Sequence, residues 1–201
     1  MAETSRDTIL QSLRAARLES VELPEADPSW CRFADPKARF AQVLESVGGR
    51  CLSATDLHDA NRQLTELPEF QQATWIGSTV AGVDGVNLDA MVVGDPHELE
   101  RLDLFVAKGQ FAIAENGAVW VSDAQVPHRA LWFIVQHLVL IVPVDQIVHN
   151  LHQAYQRLRF DHAEFGLLIA GPSKTADIEQ SLIIGAHGAR SLTVMLLDHG
   201  P

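Results

Sequence analysis

The sequence predicts an α/β protein with an open, mostly parallel sheet that carries helices on both faces. Strand and helix patterns alternate across the last 65 or so of its 201 residues, which is typical of βαβ units. The strands there are near-continuous apolar runs, LVLIVP (138–143) and LTVMLL (192–197), as expected of parallel strands covered on both faces. A hairpin signature at Asn116-Gly117 adds antiparallel pairing, so the predicted sheet is mixed.

Composition and charge narrow the class of protein. Hydrophobic residues make up 47% of the chain and charged residues 20%, which are ordinary values for a globular protein with one good core. The formal net charge of −11 argues against a general binder of nucleic acid or of anionic membranes, because both repel such a surface. The longest apolar stretch, residues 130–144, is too short and too β-branched to span a bilayer.

The cysteines and the first residues favour a cytoplasmic protein. Cys31 and Cys51 are too far apart for a CxxC motif, and two thiols cannot complete an iron–sulfur or zinc site unaided. Two lone cysteines suit a reducing compartment. Residues 1–20 lack the apolar run of a secretory signal.

The pattern of elements predicts an N-terminal helix and irregular arm over residues 1–36, followed by a single α/β domain over residues 37–201. Asp35 as N-cap, Pro36 at the first helical position and Gly48-Gly49 at the end mark one helix. Predicted helices cover 4–19, 35–49, 55–67, 145–158 and 175–188, and predicted extended segments cover 73–78, 103–109, 110–123, two stretches within 130–144, 165–171 and 191–198.

The stretch IAGPSKTADIEQSL (169–182) is the first candidate site. A buried strand ends at a Gly-Pro turn, and in an open α/β sheet ligands bind beyond the carboxyl ends of strands, where helix N-termini present free N–H groups. Ser173, Thr175 and those N–H groups can hold a carboxylate or a phosphate, with Lys174 adding charge. The alternative is a well-capped helix, since a capping hydroxyl and Asp177 in the first turn are ordinary helix-start chemistry.

Glu115 is the second candidate. It lies at the head of the hairpin in AIAENGAVWVS (112–122), between apolar strands. A carboxylate in such surroundings can act as a nucleophile or as a base with a raised pKa. The alternative is an exposed turn acid, which hairpin turns also favour.

The remaining patterns carry weaker signals. The glycine-rich segment 77–87 lacks the GxGxxG order, and GPSKT is not a Walker A loop. His149 and His152 lie three apart with no third ligand at a recognisable offset, so no metal site is predicted. His187 is expected at the end of the last predicted helix.

Three segments resemble one known family. GPSKTADIEQSLIIGAHGARSLTVMLL (171–197), FAIAENGAVWVS (111–122) and VPVDQIV (142–148) are similar, in order and spacing, to the signature of the LUD-domain lactate-utilisation proteins of the LutC/YkgG type. Asn116 and Ala118 stand where that family often has threonine. Lys174 replaces the more usual arginine, and Ala189 a common proline.

The resemblance implies a fold similar to the NagB/RpiA/CoA-transferase-like proteins. It also implies an accessory, non-cluster subunit in the bacterial oxidation of L-lactate to pyruvate, with the iron–sulfur clusters in a cysteine-rich partner and an iron–sulfur partner. No cofactor is then expected on this chain. Its small-anion site would comprise Gly171, Ser173, Lys174, Thr175 and Asp177. The alternative is an enzyme resembling that superfamily, acting on a CoA ester or a sugar phosphate through Glu115.

Overall fold

A computed structural model describes residues 4–16, 21, 22, 25, 27, 29–90, 92–158, 165–175 and 182–198. The chain divides into two compact units, residues 1–30 and 31–201. The domain boundary predicted after residue 36 stays a prediction. Within the described part of the chain, no helix is long and apolar enough to cross a membrane.

Among the described residues of the first unit lies the helix α1 (Ser5–Ala15), which confirms the helix predicted there. Thr4 and Asp7 form a capping box at its start, because the Thr4 hydroxyl accepts from the Asp7 N–H while the Asp7 carboxylate accepts from the Thr4 N–H. None of the side chains along α1 is buried.

The second unit is built on a five-stranded sheet in which every pairing is parallel. The spatial order of its strands is β1–β11–β6–β3–β2. Most side chains of the three central strands are buried, which confirms the interpretation of their apolar runs. The five strands are β1 (Arg50–Ala54), β2 (Ile76–Ser78), β3 (Leu104–Lys108), β6 (His137–Pro143) and β11 (Ser191–Leu197).

Helices cover both faces of this sheet, as predicted. α3 (Leu57–Glu66) and α4 (Pro68–Gln72) pack on one face. α2 (Pro36–Ser46) packs on the other through Phe40 and Leu44, which are fully buried. Asp35 caps α2 by accepting a hydrogen bond from the Ala38 N–H at 2.9 Å, so the predicted helix start is confirmed.

A second sheet lies over the same face as α2, in the order β7–β4–β5–β8. Its strands are β4 (Phe111–Ile113), β5 (Ala118–Ser122), β7 (Ile147–Val148) and β8 (Gly166–Ile169). The predicted hairpin is therefore present, but it does not extend the parallel sheet. The chain folds back at Gly109, where a Cβ would lie 2.4 Å from Val119 and 2.7 Å from Val142, and this close approach stacks the two sheets face to face.

The remaining elements are short. α5 (Leu131–Ile134) precedes β6, and α6 (Leu151–Arg157) covers the outer face of the second sheet. β9 (Lys174–Thr175) and β10 (Ile183–Ile184) form an antiparallel pair. Short 3₁₀ helices cover Pro96–Arg101, Asp123–Gln125 and Val144–Gln146.

Three element predictions are wrong. The segment ALWFIV contains the helix α5 rather than a strand, and of the four α5 residues only Leu131 and Trp132 are buried. The helix predicted over 145–158 begins at Leu151, where Asn150 provides the N-cap and the preceding two-residue strand β7 pairs with β4. The helix predicted over 175–188 is contradicted at both of its described ends, which form β9 and β10 and pair with each other.

Candidate functional site

A pocket of about 240 Å³ opens beside the Gly-Pro turn of the GPSKT loop. Its walls are mainly apolar and come from α5, from β8, and from the first residues of the strands β6 and β11. Ser173 and His187 are its polar side chains apart from the indole of Trp132. The lining residues are Trp132, Phe133, Leu138, Leu167, Leu168, Ile169, Ala170, Gly171, Pro172, Ser173, His187, Gly188, Ala189 and Leu192.

The pocket lies beyond the carboxyl end of β8, as the sequence predicts, but at the amino ends of the central strands β6 and β11. Leu138 and Leu192 are the second residues of β6 and β11. The Ser173 N–H donates to the Ala189 carbonyl at 2.9 Å, two residues before β11 begins. The loop is therefore not at the carboxyl edge of the parallel sheet, because β8 belongs to the second sheet, where it pairs antiparallel with β5.

The loop is held in place by the end of α2. Gly171 has a φ of +73°, and a Cβ there would lie 2.6 Å from the Val47 carbonyl oxygen. Lys174 donates a hydrogen bond from Nζ to that same oxygen. A cation at the carboxyl end of a helix is favoured by the helix dipole, so Lys174 anchors the loop.

The structure therefore places the predicted anion-site residues in different surroundings. Gly171 and Ser173 line the pocket. Lys174 contacts the end of α2, and Thr175 lies opposite Ile183 in the β9–β10 pair. Asp177 lies outside the described residues.

The hairpin and the loop lie side by side, but the Glu115 carboxylate is bound to the start of α6 and does not line the pocket. Val119 of β5 is opposite Ile169 of β8, which brings the hairpin turn next to the loop at one end of the second sheet. Glu115 is half-buried, and its Oε2 accepts a hydrogen bond from the N–H of Leu151, the first residue of α6, at 2.9 Å. It is thus neither an exposed turn acid nor a group that lines the pocket. A catalytic role for Glu115 stays a prediction.

The Cys31 thiol is a second partner of Glu115. It donates a hydrogen bond to the carboxylate, and this bond is the main cause of a raised pKa of Cys31. Nearby, the Phe33 N–H donates to His149 Nδ1 at 3.1 Å. These contacts attach the segment before α2 to the end of the second sheet.

Trp132 is one of the pocket residues that the sequence does not predict. Its side chain is only 3% exposed, and its ring meets Phe105 edge-on with centroids 6.1 Å apart. The indole Nε1–H is buried and has no hydrogen-bond acceptor among the described residues. The available signal was a tryptophan within an apolar run, which needs a polar partner when buried.

A separate polar cleft of about 390 Å³ also lies at the amino ends of the central strands. Glu69, Asp103, Arg190 and His137 are among the residues that line it. His137 Nδ1 is 2.8 Å from the Ser191 hydroxyl. Burial lowers the pKa of His137, since the imidazolium is poorly solvated there.

The lowered pKa of His137 predicts a loss of stability in mild acid. Below about pH 6.5, the ordinary pKa of histidine, the unfolded chain binds a proton that the folded chain resists, so the free energy of unfolding falls as the pH drops. Urea unfolding between about pH 5 and 6.5 is expected to show this slope, and His137→Gln to flatten it. The exposed His58→Gln on α3 is the control; an equal slope in both variants contradicts the assignment.

Histidine, cysteine and acidic side chains do not gather into a metal site in the part of the chain that the structure describes. His149 is instead occupied by the Phe33 N–H and stacks on the Phe33 ring at 6.3 Å.

Fold and pocket together define an α/β protein with a parallel central sheet and a small, mainly apolar pocket beside a glycine-anchored loop. The family model described as the LUD domain matches residues 95–197, about half of the chain. The chain belongs to the LUD-domain family.

Several curated relatives are named Lactate utilization protein C. That of Oceanobacillus iheyensis is 27% identical over 106 residues, covering 49% of this chain and 45% of the relative. That of Geobacillus thermodenitrificans is 28% identical over 203 residues, covering 92% of this chain and 76% of the relative. The chain thus matches less than half the length of the first of these relatives.

A solved structure confirms the fold. The crystal structure of a DUF162 family protein from Deinococcus radiodurans aligns with a TM-score of 0.57 at 20% identity, covering 82% of this chain and 97% of that protein. The predicted α/β class is therefore correct.

Proposed function

We propose that this chain is an accessory subunit of a bacterial system that oxidises L-lactate to pyruvate. The observation that carries the proposal is the alignment with Lactate utilization protein C of Geobacillus thermodenitrificans over 92% of this chain. The match of the LUD domain to residues 95–197 supports it, since this region contains the pocket and the loop.

The electron-transfer centres of the proposed system belong to companion subunits. Iron–sulfur clusters are commonly held by four cysteine thiolates, and this chain has two cysteines. Both are free, Cys31 on the surface and Cys51 half-buried, and burial raises the pKa of Cys51 to about 11. A thiol that stays protonated at neutral pH is a poor metal ligand.

We also propose that this chain binds a small carboxylate beside Ser173. Support comes from the pocket, where the Ser173 hydroxyl and the His187 imidazole can both donate to an oxygen anion. Lys174 contributes indirectly, because its ammonium fixes the loop to Val47. The alternative, an enzyme that uses Glu115, gains no support from the bond between that carboxylate and the start of α6.

Growth on L-lactate tests the proposed function. Deleting the gene is expected to stop growth on L-lactate but not on pyruvate, because pyruvate enters after the missing step. Re-expressed wild-type protein should restore growth, and Ser173→Ala should restore it less well. The exposed Ser53→Ala on β1 is the matched control and should restore it fully.

Purification adds an independent readout. Tagged protein from lactate-grown cells is expected to retain subunits that contain iron and show the broad visible absorbance of iron–sulfur clusters. Normal growth of the deletion strain on L-lactate would overturn the proposal.

A further inference from the structure

We infer that the pocket beside Ser173, which we call the Trp132 pocket, binds a small carboxylate with a branched or aromatic body rather than lactate itself. This inference rests on the proposed function for the carboxylate group, and on the walls of the pocket for the apolar body. The walls, the size and one unpaired donor each favour this class of ligand.

The walls of the Trp132 pocket match an apolar body. Leu138 and Leu192 contribute from the central sheet, Leu167 from β8, and Phe133 from α5. Among the described residues that line the pocket there is no Asp, Glu, Lys or Arg. A ligand carboxylate thus meets no local negative charge, although the whole chain carries −11.

The volume of the pocket is larger than the volume of a three-carbon acid such as lactate. An apolar cavity of about 150 Å³ accommodates benzene in another protein. The Trp132 pocket, at about 240 Å³, therefore has room for roughly ten non-hydrogen atoms. Lactate would leave much of the apolar wall in contact with water or empty space, which gives up most of the binding free energy that the wall offers.

The unpaired indole N–H indicates that the ligand carries a hydrogen-bond acceptor. A buried donor without an acceptor destabilises the structure, because it has lost its hydrogen bonds to water. The edge-on contact with Phe105 holds the indole ring, so it is not free to turn toward solvent. Trp132 is one of the residues that line the pocket, so an acceptor on a bound molecule can pair with its buried Nε1 once the ring shifts to expose that atom.

Calorimetry with a matched pair of ligands tests the inference on the purified full chain. Lactate and 3-phenyllactate have the same 2-hydroxycarboxylate group and differ only in the apolar body. 3-Phenyllactate is expected to bind at least tenfold more tightly, since burial of a phenyl ring is worth that much. Phenylpropanol, which lacks the carboxylate, should bind more weakly than 3-phenyllactate.

Two variants locate the binding. Ala170→Trp places a large side chain at the exposed rim of the pocket and is expected to abolish 3-phenyllactate binding. Ala81→Trp, at an exposed position in the glycine-rich loop, is the control and should bind as wild type. Trp132→Phe replaces the indole with a smaller aromatic ring that has no N–H, and should weaken binding about fivefold. Unfolding curves verify that each variant is folded.

The outcomes separate the two proposals. Equal affinity for lactate and 3-phenyllactate, or full binding by Ala170→Trp, would overturn the inference even if the deletion strain fails on L-lactate. Selective binding of 3-phenyllactate by a protein whose deletion strain grows normally on L-lactate would support the pocket and overturn the proposed function.

Discussion

Replacing Gly117 with alanine is expected to lower the free energy of unfolding by about 2–4 kcal/mol. Gly117 has a φ of +69°, a conformation that alanine adopts at a cost. A Cβ there would also lie 2.8 Å from the Leu44 amide nitrogen, and a backbone atom in a helix cannot move aside as a flexible side chain does. Urea unfolding of Gly117→Ala measures the effect.

Gly94→Ala is the matched control for Gly117→Ala. No heavy atom lies within 4 Å of the position that its Cβ would take. Its unfolding free energy is expected to stay within about 0.5 kcal/mol of wild type. A Gly117→Ala protein as stable as Gly94→Ala would mean that the hairpin does not press on α2 as the structure has it.

Phe40→Ala is expected to cost about 3–5 kcal/mol, the usual range for an emptied phenylalanine site. Phe40 is fully buried where α2 meets both sheets. Because α2 also supports the Gly117 turn and the Gly171 loop, its loosening should reach the Trp132 pocket. The expected result is a lower urea midpoint together with weaker 3-phenyllactate binding.

The control for Phe40→Ala is Tyr155→Ala on α6. Tyr155 is 68% exposed, so removing its ring should change the unfolding free energy by less than about 0.5 kcal/mol. An unfolding free energy of Phe40→Ala equal to that of Tyr155→Ala would contradict the packing of α2 against the core described above.

Elements with strong local signals were predictable from the sequence. α2 has its N-cap Asp35 and its proline at the first position, and β6 and β11 are apolar runs. β1 was missed because its sequence, RCLSA, is short and mixed in polarity; its pairing with β11 decides its conformation. The sequence of α5 resembles that of a buried strand, because four large apolar residues in a row show no helical period.

The candidate site was predictable in its loop but not in its walls. The residue types of GPSKT indicated a tight turn with hydroxyl and amine groups, and Gly171 and Ser173 do line a pocket. The partner of Lys174 is the Val47 carbonyl, 127 residues earlier in the chain. No local pattern predicts such a contact. Nor does one predict that Trp132, Leu167 and Leu192 line the same pocket.

The place of β11 in the central sheet has a consequence for how the protein is made. β11 is the last described strand along the chain, yet it lies between β1 and β6, and it is the strand with which β1 pairs. During synthesis β1 therefore stays unpaired until β11 has been made. The apolar side chains of the neighbouring helix α2 are not fully covered during that time. Such late, non-local pairing makes folding slow and leaves the growing chain open to aggregation. The strands made before β11 are thus expected to stay prone to aggregation until the chain up to residue 197 is available to pair.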